Sequence, residues 1–212
     1  MALADDPSRR GGSQTTTTGD TRLGEVLEAD TSSLLAECYI LGQPPPLGAL
    51  VRCNLDAIAL YAVVYHAETA SAVPGRTPVA LGRNAVTEEE VHRDQPHLTA
   101  LLRTTFRARL IAHRRGSTSY PYLPPQPPLV HSFVYACNPE EVGQVTERLD
   151  YLSLLLAASE LTSPEETVAA FLRHSAALHA EPDALMSRAA RALARLLGQD
   201  LPRLGAILAR LG

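Results

Sequence analysis

The sequence predicts an α+β fold, with a small closed β-barrel preceding a C-terminal helical region. Three observations carry this. Up to residue 137, apolar residues alternate at period two or run in short Val- and Tyr-rich blocks. Gly and Pro clusters punctuate the same stretch as turns do. Beyond Cys137 the pattern becomes that of amphipathic helices. Strands first and helices last is the order of a segregated architecture. The boundaries predicted are 1–20 for a polar tail, 21–137 for the barrel and 138–212 for the helical region.

Residues 1–20 hold Arg9-Arg10-Gly11-Gly12 and Thr15 to Thr18 without apolar anchors, and read as a disordered tail. A short strand is expected over 23–28. Over 34–40, Leu34, Ala36, Cys38 and Ile40 alternate with Leu35, Glu37 and Tyr39, the period of a half-buried strand. Pro44-Pro45-Pro46 between Gly42 and Gly48 makes a stiff turn. A strand over 49–53 and a turn over 54–56 follow. Residues 57–66 are nearly continuously apolar, as in a strand covered on both faces. Residues 67–86 read as loop. Thr87-Glu88-Glu89-Glu90 is a capping box that should open a helix running to about Leu102.

Residues 104–113 alternate again. Phe106, Ala108, Leu110 and Ala112 are expected on one face, with Arg107, Arg109 and His113 on the other. Residues 114–129 form a proline-rich loop, and 130–137 the last strand, with Val130, Ser132, Val134 and Ala136 on one face. Asn138-Pro139-Glu140-Glu141 supplies an N-cap, a Pro at the first helical position and a capping-box Glu. Ser163-Pro164-Glu165-Glu166 repeats the pattern. Helices are expected over 139–159, 164–180, 183–197 and 200–211. In the third, Leu185, Ala189, Leu193 and Leu196 fall on one stripe, and Arg188, Arg191 and Arg195 on another.

Composition is most useful for exclusion. All 19 basic side chains are Arg, because the chain has no Lys. A phosphate-binding P-loop, a protein-kinase site and a Schiff-base site each need a Lys amine. No Gly-x-Gly-x-x-Gly run supports a dinucleotide site. The net charge of −4 offers no global field for nucleic acid. Cys38, Cys53 and Cys137 are odd in number and widely spaced, which suits neither a disulfide framework nor zinc. The N-terminus lacks the apolar segment of a secretory signal, and no apolar run reaches membrane-spanning length. A reduced, cytoplasmic setting is expected.

The order of Leu23-Gly24-Glu25-Val26, the strand through Ala36-Glu37-Cys38-Tyr39, Leu47-Gly48-Ala49-Leu50-Val51 and 58–64 carries a resemblance. With the acidic helix start and the run Leu123-Pro124-Pro125-Gln126-Pro127-Pro128 leading to His131, it resembles the HerA–ATP synthase (HAS) barrel. That barrel occurs in HerA-type DNA translocases and in ATP synthase α and β subunits. The likeness spans about residues 22–137. It implies six strands and a role in ring assembly and partner docking, with a barrel that in translocases sits beside a motor and can contact a nuclease. The roughly 75 residues after the barrel are too few for such a motor, and the P-loop Lys is missing, so ATP hydrolysis is not implied here.

Candidate contacts are basic. Arg103, Arg107, Arg109, His113, Arg114 and Arg115 lie in a segment, 103–115, without a single acid. They form either a phosphate-binding stripe or an ordinary strand face paired with Glu25, Glu28 or Glu37. Arg188, Arg191 and Arg195 form either a docking face or a solvated one. The cysteines, with His66 or His131, are either a reactive group or buried small hydrophobes, the latter being favoured. His92 with His97, and His174 with His179, lack metal-pair spacing. No catalytic residue, cofactor or metal is expected. The leading expectation is a non-catalytic interaction and assembly module with a protein partner, self-association included, serving a DNA translocase or nuclease system. The alternatives are nucleic-acid binding through the Arg-rich strand and an enzyme with a dispersed site.

Overall fold

The computed structural model describes residues 21–80, Thr87 and residues 101–211. The expected tail over 1–20 lies outside these residues. So does nearly all of the helix expected from Thr87; its last expected residue, Leu102, instead begins a strand.

Among the described residues, seven strands form one antiparallel sheet: β1 (Arg22–Ala29), β2 (Ser33–Cys38), β3 (Leu50–Leu55), β4 (Ile58–Ser71), β5 (Leu102–Arg115), β6 (Thr118–Tyr120) and β7 (Phe133–Ala136). Their order is β2-β1-β7-β3-β4-β5-β6, and β2 also pairs with β5. That last pairing closes six strands into a barrel and leaves β6 outside. Closure removes the open edges that a flat sheet would expose.

Some boundaries differ from expectation. β3 continues through Leu55, and the turn sits at Asp56, which takes a positive φ of 51°. β4 runs on to Ser71, beyond the expected loop boundary, because β5 pairs with it along its whole length. β6 arises inside the expected loop, paired with His113 to Arg115. β7 is shorter than expected, since His131 adopts φ 67°, outside the strand region. Ile40 is 58% exposed rather than inward-facing, because β2 ends at Cys38.

Five helices follow: α1 (Pro139–Thr146), α2 (Leu152–Leu156), α3 (Pro164–Leu178), α4 (Pro182–Leu197) and α5 (Leu201–Leu208). The single helix expected over 139–159 is thus two. At α1 the expected capping box forms: Glu141 N–H donates to Asn138 Oδ1 (2.9 Å) and Asn138 N–H to Glu141 Oε2 (3.1 Å). At α3 it does not. Ser163 offers its backbone carbonyl, not its hydroxyl, to Thr167.

Two apolar cores lie back to back across β4 and β5. Leu60, Ala62 and Val64 point into the barrel with Val26, Leu34, Phe106, Leu110 and Val134. Tyr61 and Val63 point outward and, with Leu50, Ile111 and Ala112, are covered by the helices. The continuous apolar run of β4 therefore serves both sides of one strand, as its composition predicts. Leu152, Leu155, Val168, Phe171, Leu172, Leu185, Ala189 and Leu193 supply the helical side. On α4, Leu197 rather than Leu196 joins this core; Leu196 is 45% exposed.

Polar ties reinforce the seam. Arg52 Nε on β3 meets Glu141 Oε1 on α1 at 2.8 Å, with both side chains almost buried. Arg109 on β5 pairs with Glu160, between α2 and α3.

Candidate interaction site

The helices cover only part of the barrel wall. Across β1 and β7 the outer face stays open, and alternation places aromatic and Arg side chains there, whereas on β3 Leu50 and Arg52 are covered by the helices. Tyr135 on β7 is in register with Arg22 on β1 and Arg52 on β3. The Arg52 guanidinium lies 5.0 Å from the Tyr135 ring centroid, and the Arg22 guanidinium 4.3 Å from that of Phe133. Phe133 meets Tyr135 edge-on at 6.4 Å and Tyr39, just past β2, at 6.5 Å. Planar cations over ring faces are favourable electrostatically, and they hold flexible side chains in place.

Glu25 anchors the other end of this strip. It accepts from the Tyr39 hydroxyl (3.4 Å) and lies 3.1 Å from His131 Nδ1. Tyr39 is 51% exposed and Phe133 39%. Ile40, next to Tyr39, and Val130, three residues before Phe133, are also exposed. Aromatics with Arg are the composition enriched at protein interfaces and their hot spots. Loss of solvation, and then the charge of Glu25, push the Tyr39 phenol above its ordinary value.

The sequence-predicted basic residues do not gather into one stripe. Ile111 is an extra residue in β5, since Tyr61 pairs with Ala112 and Ala62 with Leu110. This bulge inverts the alternation beyond it. His113 consequently leaves the face of Arg107 and Arg109 and is buried, stacked on Tyr120 at 4.9 Å, with Nδ1 3.2 Å from the Tyr122 carbonyl. Arg109 is committed to Glu160, not to Glu25, Glu28 or Glu37. Arg114 donates to the Tyr61 hydroxyl (3.1 Å) and the Gly116 carbonyl (3.3 Å). Arg107 and Arg115 are exposed, and Arg103 is half-buried opposite Ala70. Arg188 donates to the Thr146 carbonyl (3.2 Å), whereas Arg191 and Arg195 project from α4.

All three cysteines are buried, and none is in a disulfide. Cys38 and Cys53 lie in strands, and Cys137 immediately follows β7. Burial pushes Cys53 up to about 12; burial and then the Glu37 charge push Cys38 up to about 11. Such thiols are poor nucleophiles and poor ligands near neutral pH. Among the described residues, no group of three His, Cys, Asp or Glu side chains is placed to hold a metal ion. No described helix is long and apolar enough to cross a membrane.

Sequence reasoning passed over Arg22, Tyr39, Arg52, Phe133 and Tyr135. A signal existed. Phe133 and Tyr135 alternate with the inward Val134, so two large rings fall on the side that a barrel turns outward. Their convergence with Arg22 and Arg52 depends on strand order, which alternation does not encode. No family model matches the chain, and no curated protein matches it.

Proposed function

We propose that this protein is a non-catalytic interaction module whose docking face is the aromatic–Arg strip on β1 and β7, built on Arg22, Tyr39 and Phe133. One observation carries the reading: rings and guanidiniums are ordered against one another on a part of the barrel wall that the helices leave open. Ordering these side chains in the free protein lowers the entropy cost of binding. The proposed setting is an assembly that includes a DNA translocase or nuclease. Its support is the sequence resemblance to the HAS barrel together with the closed six-stranded sheet.

Nucleic-acid binding through residues 103–115 has less support, because Arg109 and Arg114 are already engaged and His113 is buried.

The test is affinity capture of the tagged full chain from its native cells, quantified by mass spectrometry. Wild type is compared with a Tyr39→Ser/Phe133→Ser variant and with a Leu201→Ser control on α5. Proteins retained by wild type and control but lost by the double variant, with unchanged circular dichroism and thermal midpoint, are the expected result. An identical captured set for all three forms overturns the assignment of this face.

A further inference from the structure

A second feature lies on the helical side, away from the strip. The turn between α1 and α2 and one face of α4 enclose a groove of about 350 Å³. Its charged lining is Glu147, Arg148, Asp150, Arg188, Arg191 and Arg195. Four guanidiniums therefore face two carboxylates, an excess of two positive charges in a chain whose net charge is negative.

The pairing within the groove sharpens this. Asp150 is taken by Arg148, at 3.0 Å. Arg188 is drawn in by the Thr146 carbonyl, and its Nε is buried without a hydrogen-bond partner. Among the described residues, neither Arg191 nor Arg195 has an ion-pair partner. These three stand at i, i+3 and i+7 on α4, where neighbouring like charges repel. Arg195 gains a little from the helix C-terminus, but Arg191 sits a turn further back. Elsewhere in the helical region, Arg173, Arg203 and Arg210 each meet a glutamate. Of the two acids in the groove, Asp150 is held by Arg148 and, among the described residues, Glu147 makes no ion pair, so the three cations on α4 face one remaining carboxylate.

The shape narrows the ligand. The volume suits a small molecule and is far below the footprint of a duplex or a docked helix. The floor, Leu149 and Ala192, contains no aromatic ring on which a base would stack. Three guanidiniums lining one groove supply the chemistry of a phosphoryl site, since a phosphoryl group accepts paired N–H bonds from Arg. We propose that this groove binds a small phosphate-bearing molecule, a phosphate monoester or pyrophosphate, through Arg188, Arg191 and Arg195. The proposal is independent of the aromatic strip, and its failure leaves that reading untouched.

The experiment titrates the full ¹⁵N-labelled chain with inorganic pyrophosphate, inorganic phosphate and glycerol phosphate at constant ionic strength, with chloride as control. The Arg side-chain Nε–Hε resonances are followed by NMR. Saturable shifts at Arg188, Arg191 and Arg195 are expected with the phosphate ligands and not with chloride. Response to glycerol phosphate as well as pyrophosphate assigns the site to phosphate esters; response to the inorganic anions alone assigns it to free phosphate species. An Arg191→Gln/Arg195→Gln variant should bind about a hundredfold more weakly, taking roughly tenfold per charge-assisted contact. Its thermal midpoint without ligand should equal or exceed that of wild type, because the repulsion is relieved. No saturable shift with any phosphate ligand, or undiminished binding by the double variant, overturns the proposal.

Discussion

Replacing Gly48 by Ala tests how the helical layer is seated on the barrel. Gly48 lies in the turn entering β3, with φ at 81° and its N–H donating to the Val64 carbonyl at 2.8 Å. An added Cβ would stand 2.3 Å from the Ala170 carbonyl carbon, 2.3 Å from the Phe171 nitrogen and 2.8 Å from the Ala170 Cβ. The nearest two are backbone atoms in the middle of α3, so no rotamer change relieves the contact. The left-handed backbone costs a non-glycine residue about 1–2 kcal/mol. Forcing the turn off the helix adds about 1–3 kcal/mol, as overpacking does. The sum is about 2–5 kcal/mol, a large share of the roughly 5–15 kcal/mol that holds a typical domain folded. At about 2–4 °C per kcal/mol, the thermal midpoint should fall by about 4–20 °C. Urea unfolding should show a lower midpoint at unchanged slope. Gly42→Ala is the control. It has φ 75° but open space around the added carbon, so it carries the backbone cost alone. Equal losses in the two variants would refute the close approach of α3 to the barrel.

Two further outcomes follow from the geometry. Cys38 and Cys53 keep their protons to about 11 and about 12, whereas an exposed thiol ionises near 9.0. Their contribution to stability is whole below about pH 9 and is lost as pH climbs toward the folded values, because only the unfolded chain releases protons there. The urea midpoint should drop between about pH 8 and about pH 10.5, and less so in Cys53→Ala; a midpoint flat across that range would contradict the burial. A double-mutant cycle on Arg109→Met and Glu160→Gln, read by urea unfolding, should give a coupling of about 0.5–3 kcal/mol, since Arg109 is only 13% exposed. Strict additivity would show that the loop between α2 and α3 is not tied to β5.

Local chemistry wrote much of this architecture into the sequence. The alternation over residues 34–38, the doubly covered run of β4 and the Asn138 cap act over a few residues, where side-chain period and hydrogen-bonding capacity are sufficient. The limits of such reading are equally specific. A single extra residue, Ile111, turns His113 from the Arg face into the interior, and periodicity has no means to announce it. Nor does local sequence state that β7 inserts between β1 and β3, which is what sets Tyr135 between Arg22 and Arg52. The absence of Lys and the order of strands before helices belong to the sequence. Which cations find an acid, and which are left facing a groove, was decided by packing, because an ion pair depends on distance in space between residues far apart along the chain.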